Sequence, residues 1–200
     1  MEKGESSKEL GGSGTGDHLD GSNTDHSQGE VRSTGNSLDL AIQGEGFFVI
    51  NTPAGRRYSR NGNLSLNSEG QLVTKSGYKV LNEDNEPITI ASGKEVQIDG
   101  EGNIFTGGEK QGDQIQLVKF NNNNLLKKEG ENLFSVGGAE VQPAENYKVL
   151  QGYLETSNVK IVQEMANMIQ TNRLYEANQK MVQTMDSTLD KAVNQVGRLR

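Results

Sequence analysis

The chain has 200 residues, 20 of them Lys or Arg and 27 Asp or Glu, for a formal net charge of −7 at pH 7. An acidic chain without a Lys/Arg cluster is poorly suited to nucleic acid, and the lack of Cys excludes a disulfide scaffold, a thiolate metal site and a Cys nucleophile. No run of about 18 apolar residues is present to cross a bilayer as a helix, and the length allows one or two small domains.

Beyond Met1, residues 1–30 contain only Leu10 and Leu19 as large apolar groups, with two Lys against seven acids. Such an acidic, Gly/Ser-rich stretch cannot bury enough surface to order itself, so residues 1–36 are expected to form a flexible segment. It lacks the apolar core of a cleavable signal peptide. His18 and His26 lie among Asp17, Asp20 and Asp25. A metal site needs rigid, supported ligands, so no metal is expected there.

From Ser37 the pattern changes. Leu38, Leu40 and Ile42 alternate with Asp39, Ala41 and Gln43, as in a half-buried strand. Gly44-Glu45-Gly46 turns the chain, and Phe47-Phe48-Val49-Ile50 reads as a fully buried strand. Asn61-Gly62 is a type I′ hairpin signal, predicted to pair residues 58–60 with 63–66. Turn signals then recur every ~8–12 residues, through short apolar runs at 72–73, 80–81, 88–90, 96–98, 104–105, 115–120 and 133–136. Asn121 to Asn124 is a polar tract, read as an exposed loop. Residues 37–150 are therefore expected to form one β-rich globular domain.

Residues 157–196 contain no Gly and no Pro. Steps of seven from Ile161 reach Met168, Tyr175, Val182, Leu189 and Val196, the heptad spacing of a coiled-coil stripe. Met165, Met185 and Val193 widen it, along with Val162, Ile169, Leu174 and Met181. Ser157 or Asn158 can cap the start, and Gly197 with Arg198 and Arg200 suits the end. Such a helix is roughly 60 Å long, more than the remaining chain can cover. Its polar face is rich in uncharged amides such as Asn167, Gln170, Gln179 and Gln183, which suits a helix surrounded by copies of itself. Residues 151–200 are expected to form a long C-terminal helix for assembly.

Catalytic chemistry finds no support. Gly44-Glu45-Gly46 lacks the third Gly of a phosphate-binding loop, and a strand follows it. Both His lie in the N-terminal segment, and carboxylates such as Asp99 and Glu101 sit in apparent turns. No catalytic, cofactor-binding or metal residue is assigned, and no enzyme is expected.

Asn36-Ser37-Leu38-Asp39-Leu40-Ala41-Ile42-Gln43-Gly44-Glu45-Gly46-Phe47-Phe48 resembles the signature of flagellar basal-body rod and hook proteins. Tyr58-Ser59-Arg60-Asn61-Gly62, Gly70-Gln71-Leu72-Val73 and Gly77-Tyr78 extend the likeness. Gln151-Gly152-Tyr153-Leu154-Glu155-Thr156-Ser157-Asn158-Val159 resembles the start of that family's C-terminal helix, and Arg173-Leu174-Tyr175-Glu176 fits the helix itself. The likeness spans about residues 27–196 and is nearest the distal-rod type; a hook protein usually carries a larger middle insertion. One feature departs from the pattern: the family's long N-terminal helix, with its Asn-Asn-Leu-Ala-Asn motif, is not present here, and the chain reads as a truncated form.

The expected fold is mainly β, a sandwich- or barrel-like domain of short antiparallel strands, plus one long C-terminal α-helix. The resemblance implies a structural subunit that polymerises into a tubular axial structure and transmits torque to the hook. It also implies export by the flagellar type III system, an extracytoplasmic place in the basal body, and partners among copies of itself and other axial proteins. Contacts with peptidoglycan and surrounding ring proteins are further expectations; nucleic acid, cofactors and membrane insertion are not. The alternatives are a proximal-rod or hook-like axial protein, or a secreted glycan- or peptidoglycan-binding β-domain. The last would show a row of exposed aromatics, yet the chain has no Trp, five Tyr and five Phe.

Overall fold

The computed structural model describes residues 24–91, 95–130 and 132–196, with side chains to residue 194. The centre of the β region is β3 (Phe47–Thr52). It pairs antiparallel with β4 (Gly55–Ser59) along one side, and with β7 (Lys79–Val80) and β11 (Leu117–Phe120) on the other. Phe48 and Ile50 face one hydrophobic cluster, Phe47 and Val49 the other. A strand buried on both faces needs apolar side chains at consecutive positions, which is why this run does not alternate.

The sheet around β3 continues on one side through β13 (Leu133–Val136) to β12 (Leu126–Glu129), and on the other through β6 (Leu72–Thr74) to β5 (Leu64–Leu66). β14 (Val141–Pro143) adds to β11. A second sheet stacks β8 (Val96–Ile98), β9 (Asn103–Thr106) and β10 (Glu109–Gln114). Two strand pairs complete the domain: β2 (Leu40–Gly44) with β15 (Tyr147–Gln151), and β1 (Val31–Ser33) with β16 (Tyr153–Glu155). The large sheet ends at β12 and β5 and so stays open rather than closing into a barrel. The larger cluster joins Leu40, Ile42, Phe48, Ile50, Leu72 and Ile104 among others. The smaller is aromatic: Tyr58 and Phe47 lie edge-on to Phe120, with ring centroids 4.9 and 5.4 Å away.

Four expectations change. The hairpin across Asn61-Gly62 does not form, since β4 pairs with β3 and β13 while β5 pairs with β6. Neither residue has a positive φ. Gly62 is there for close approach: its carbonyl accepts from Leu40 N–H at 2.9 Å, and a Cβ on it would overlap the Leu40 carbonyl oxygen. The segment expected to be flexible is pinned where it is described, with β1 paired to β16; its remainder, including His18, lies outside the described residues. The expected alternation fails at residues 39–42: Leu38 is half-buried, but Leu40, Ala41 and Ile42 are all fully enclosed.

Fourth, the β architecture runs past residue 150 to the end of β16, and the helix α1 (Ile161–Val196) begins later than a cap at Ser157 or Asn158 requires. Those two side chains serve the preceding turn and the N-terminal segment instead. The Ser157 hydroxyl accepts from Val159 N–H at 3.2 Å, and the Asn158 amide donates to the Ser27 carbonyl and hydroxyl at 3.2 and 3.0 Å. The expected cap at Gly197 lies outside the described residues.

Candidate assembly surface and its seam

Helix α1 has 36 residues and a length of about 54 Å. Every described side chain along it is exposed. Ile161, Met165, Met168, Tyr175, Val182, Met185, Leu189 and Val193 retain between 58% and 70% of their accessible surface. Val196 ends the helix, its side chain outside the described set. Such a run of apolar groups in water is unusual on a folded monomer.

Several polar side chains of α1 bond within the helix. Thr171, Thr184 and Thr188 return their hydroxyls to carbonyls one turn back at 2.9, 2.7 and 2.7 Å. Gln179 donates to the Tyr175 hydroxyl at 2.9 Å, and Asn194 to Asp190 at 3.0 Å. These bonds link side chains to the turn before them, as i, i+4 pairs on a helix surface do.

The seam that carries α1 is built from residues far apart in sequence. The Asn36 side chain accepts from Leu38 N–H at 3.3 Å and its carbonyl from Asp39 N–H at 3.0 Å, an Asx turn that starts the β domain. Buried Asp39 accepts from the Asn63 amide at 3.1 Å, while its carbonyl accepts from Gly152 N–H at 2.8 Å. The Gly152 carbonyl in turn accepts from Thr34 N–H at 2.8 Å. Leu38 packs against the main core, where Phe48 is buried, and Ala41 is enclosed in β2.

Arg60 ties these pieces together. It donates to Glu155 at 2.9 Å, to the Gly44 carbonyl at 3.1 Å and to the carbonyls of Ile42 and Gly46 at 3.4 Å. Its guanidinium carbon lies 5.8 Å from the Phe47 ring centroid. Glu155 uses its other oxygen to accept from Gly29 N–H at 2.8 Å. The side chains of Arg60 and Glu155 are only 16% and 11% exposed, so the pair is shielded from water. Gln28 reaches the same strand, donating to the Ile42 carbonyl and accepting from Gly44 N–H. Gly29 runs so close to Thr156 that a Cβ would overlap the Thr156 carbonyl oxygen.

Arg60 and Glu155 were present in the sequence motifs, but nothing in the spacing of residues 95 apart marks them as a pair. Gln151 was equally silent: it donates to the carbonyls of Ser37 and Val96 and accepts from Ile98 N–H, locking β15 against β8.

The titratable groups have structural explanations. The His26 ring lies tilted against Phe134 and edge-on to Phe47, with centroids 5.2 and 6.2 Å away. Removal from water lowers its pKa, Asp25 opposes that, and Arg60 lowers it further. Partial burial works to raise the Asp99 carboxyl, but hydrogen bonds from Asn103 and Glu101 hold it below its ordinary value. Asp99 accordingly caps a turn rather than addressing a ligand. No group of three or more His, Asp or Glu arranged to hold a metal occurs among the described residues.

Residues 41–106 match the family model described as flagellar hook protein FlgE/F/G D1 domain, and residues 150–196 the one described as flagellar basal body rod FlgEFG protein C-terminal. The chain is similar to the flagellar basal-body rod protein FlgG of Buchnera aphidicola subsp. Acyrthosiphon pisum, with 39% identity over 177 residues, 83% of this chain and 68% of that protein. It is 36% identical over 209 residues to the FlgG of Bacillus subtilis, covering 96% of this chain and 76% of the relative. With the flagellar basal-body rod protein FlgF of Caulobacter vibrioides it shares 34% over 173 residues, 86% and 71% of the two chains.

Proposed function

From the premise that this chain belongs to the flagellar basal-body rod protein family and is a structural subunit of the flagellar basal body, we propose that it assembles through α1. The apolar stripe Ile161, Met165, Met168, Tyr175, Val182, Met185, Leu189, Val193 and Val196 is buried against helices of neighbouring axial subunits. The β domain then forms the outer part of a tube. One observation carries this reading: every described side chain of α1, its apolar stripe included, is exposed. Successive contacts are head-to-tail and do not close, so the subunits climb as a helix.

Torque reaches the hook along this tube. The seam supports that role, because the shielded Arg60–Glu155 pair and the β1–β16 pairing join the helix base to the β domain through several independent bonds. The motif residues Asn36, Asp39, Gly44, Gly46, Gly152 and Asn158 act there as positioning groups. We further propose export by the flagellar type III system and, at the outer surface, contact with peptidoglycan and ring proteins. We assign the chain no catalytic activity.

Leu189→Asp tests the assembly role of α1. A carboxylate at a buried interface costs more than the ~1.5–3 kcal/mol that burial of the Leu contributes. Self-association and incorporation into filaments should fall, while the unfolding free energy of the β domain stays within about 0.5 kcal/mol of the parent. A large, concentration-independent loss of β-domain stability would show that α1 packs on its own domain and would end the proposal.

A further inference from the structure

Apart from Met1, which lies outside the described residues, all the Met of this chain are on α1: Met165, Met168, Met181 and Met185. They form two pairs, each about one turn apart, and are 60%, 67%, 63% and 62% exposed. There is no Cys in the chain to react first with an oxidant. Met suits a helix interface because its unbranched thioether adapts to irregular gaps. It is also the one apolar side chain that a mild oxidant turns polar.

We infer that Met165, Met168, Met181 and Met185 are an oxidation site that governs whether α1 can be buried, so that a subunit oxidised before assembly is excluded from the polymer. This rests on the assembly role proposed for α1. The reactant is a hydroperoxide. Its O–O bond breaks, one oxygen bonds to sulfur, and sulfur gives up two electrons. With hydrogen peroxide the second oxygen leaves as hydroxide and takes the proton that the transferred oxygen gives up, forming water. The product sulfoxide carries a strong acceptor oxygen where a dry apolar contact is required, and burying it without a donor is unfavourable. Once the helices are packed the sulfurs are covered, so assembly itself protects them.

The full chain, untreated and treated with hydrogen peroxide, provides the test, alongside the variant Met165→Leu/Met168→Leu/Met181→Leu/Met185→Leu. Leu matches Met in helix propensity and cannot form a sulfoxide. Peptide mass spectrometry should find one added oxygen at each of the four positions in the dilute wild-type chain. Sedimentation should show association weakened about tenfold, equivalent to ~1.4 kcal/mol. The Leu variant should associate as the untreated chain does and be unmoved by peroxide. Methionine sulfoxide reductases should restore the wild type. Oxidised wild type that associates as well as untreated chain overturns the inference, as does an equal loss in the Leu variant. Failure of the untreated wild type to associate overturns the assembly reading itself, and that outcome is visible in the arm without peroxide.

Discussion

Single residues at the seam carry disproportionate weight because each meets several chain segments. Arg60→Ala leaves Glu155 with one partner fewer in a site 11% exposed, and takes a donor from the carbonyls of Ile42, Gly44 and Gly46, of which Ile42 keeps Gln28. The expected loss is about 2–3 kcal/mol, below that of a fully buried pair because some water reaches it. Urea unfolding of the β domain measures this, and a loss under 0.5 kcal/mol, roughly the scale of an ordinary surface substitution, counts against a clamp. Gly62→Ala should cost about 1–3 kcal/mol, since the new methyl has nowhere to go but into the Leu40 backbone. Gly62 replaced by a D-Ala, which tolerates positive φ, would be stabilising only if the turn were left-handed.

His26 gives the seam a pH dependence whose sign follows from its surroundings. Docked against Phe134 and Phe47 it loses water, and its pKa falls below the ordinary value. The undocked chain therefore takes up a proton more readily. Docking of the residues around His26 is fully favourable above the unfolded value of about 6.5, and weakens as the pH falls through the lower, folded value. Hydrogen exchange of the amides of Gly29 and β1 should quicken on going from about pH 7.5 to about pH 5, relative to the core strand β3. His26→Phe should remove that difference. An unchanged ratio in the parent would mean that His26 does not hold the segment.

At the scale of elements, α1 and the β domain are stabilised by different things. The strands of the main core are held by burial: Leu40, Phe48, Ile50 and Leu72 are all fully enclosed. α1 has only its own hydrogen bonds and i, i+4 pairs, and an isolated helix is marginal because most helical stability in proteins comes from packing. Its helicity is therefore expected to rise with protein concentration, measured by far-UV circular dichroism, and Leu189→Asp should abolish the rise. Helicity that is high and independent of dilution would indicate that the helix needs no partner.

Across the whole molecule, this division predicts two unfolding events. Heating a dilute sample should melt the helical signal before the sheet signal, because the described side chains of α1 all stay exposed. At high concentration the first event should move up and the second should stay. A single coincident transition at all concentrations would show that helix and domain unfold as one unit.

Much of this was written in the sequence. The continuous apolar run at Phe47–Ile50, the recurring turn signals and the Gly- and Pro-free heptads from Ile161 are local patterns, and local patterns report which faces of a strand or helix lie inside. They gave the β class, the long helix and the motif likeness, because burial periodicity acts over neighbouring residues. What the tertiary structure decided is how distant pieces meet. Asn61-Gly62 reads as a hairpin only while Leu40 is out of view; with the Leu40 backbone against it, the same Gly serves packing and β4 pairs elsewhere. Residues 27–33 look unstructured alone, since they have few apolar groups, yet pairing with β16 and the Glu155 and Asn158 side chains satisfies their backbone. Hydrogen-bond partners 95 to 133 residues apart leave no periodic trace in the chain, so only the folded molecule identifies them.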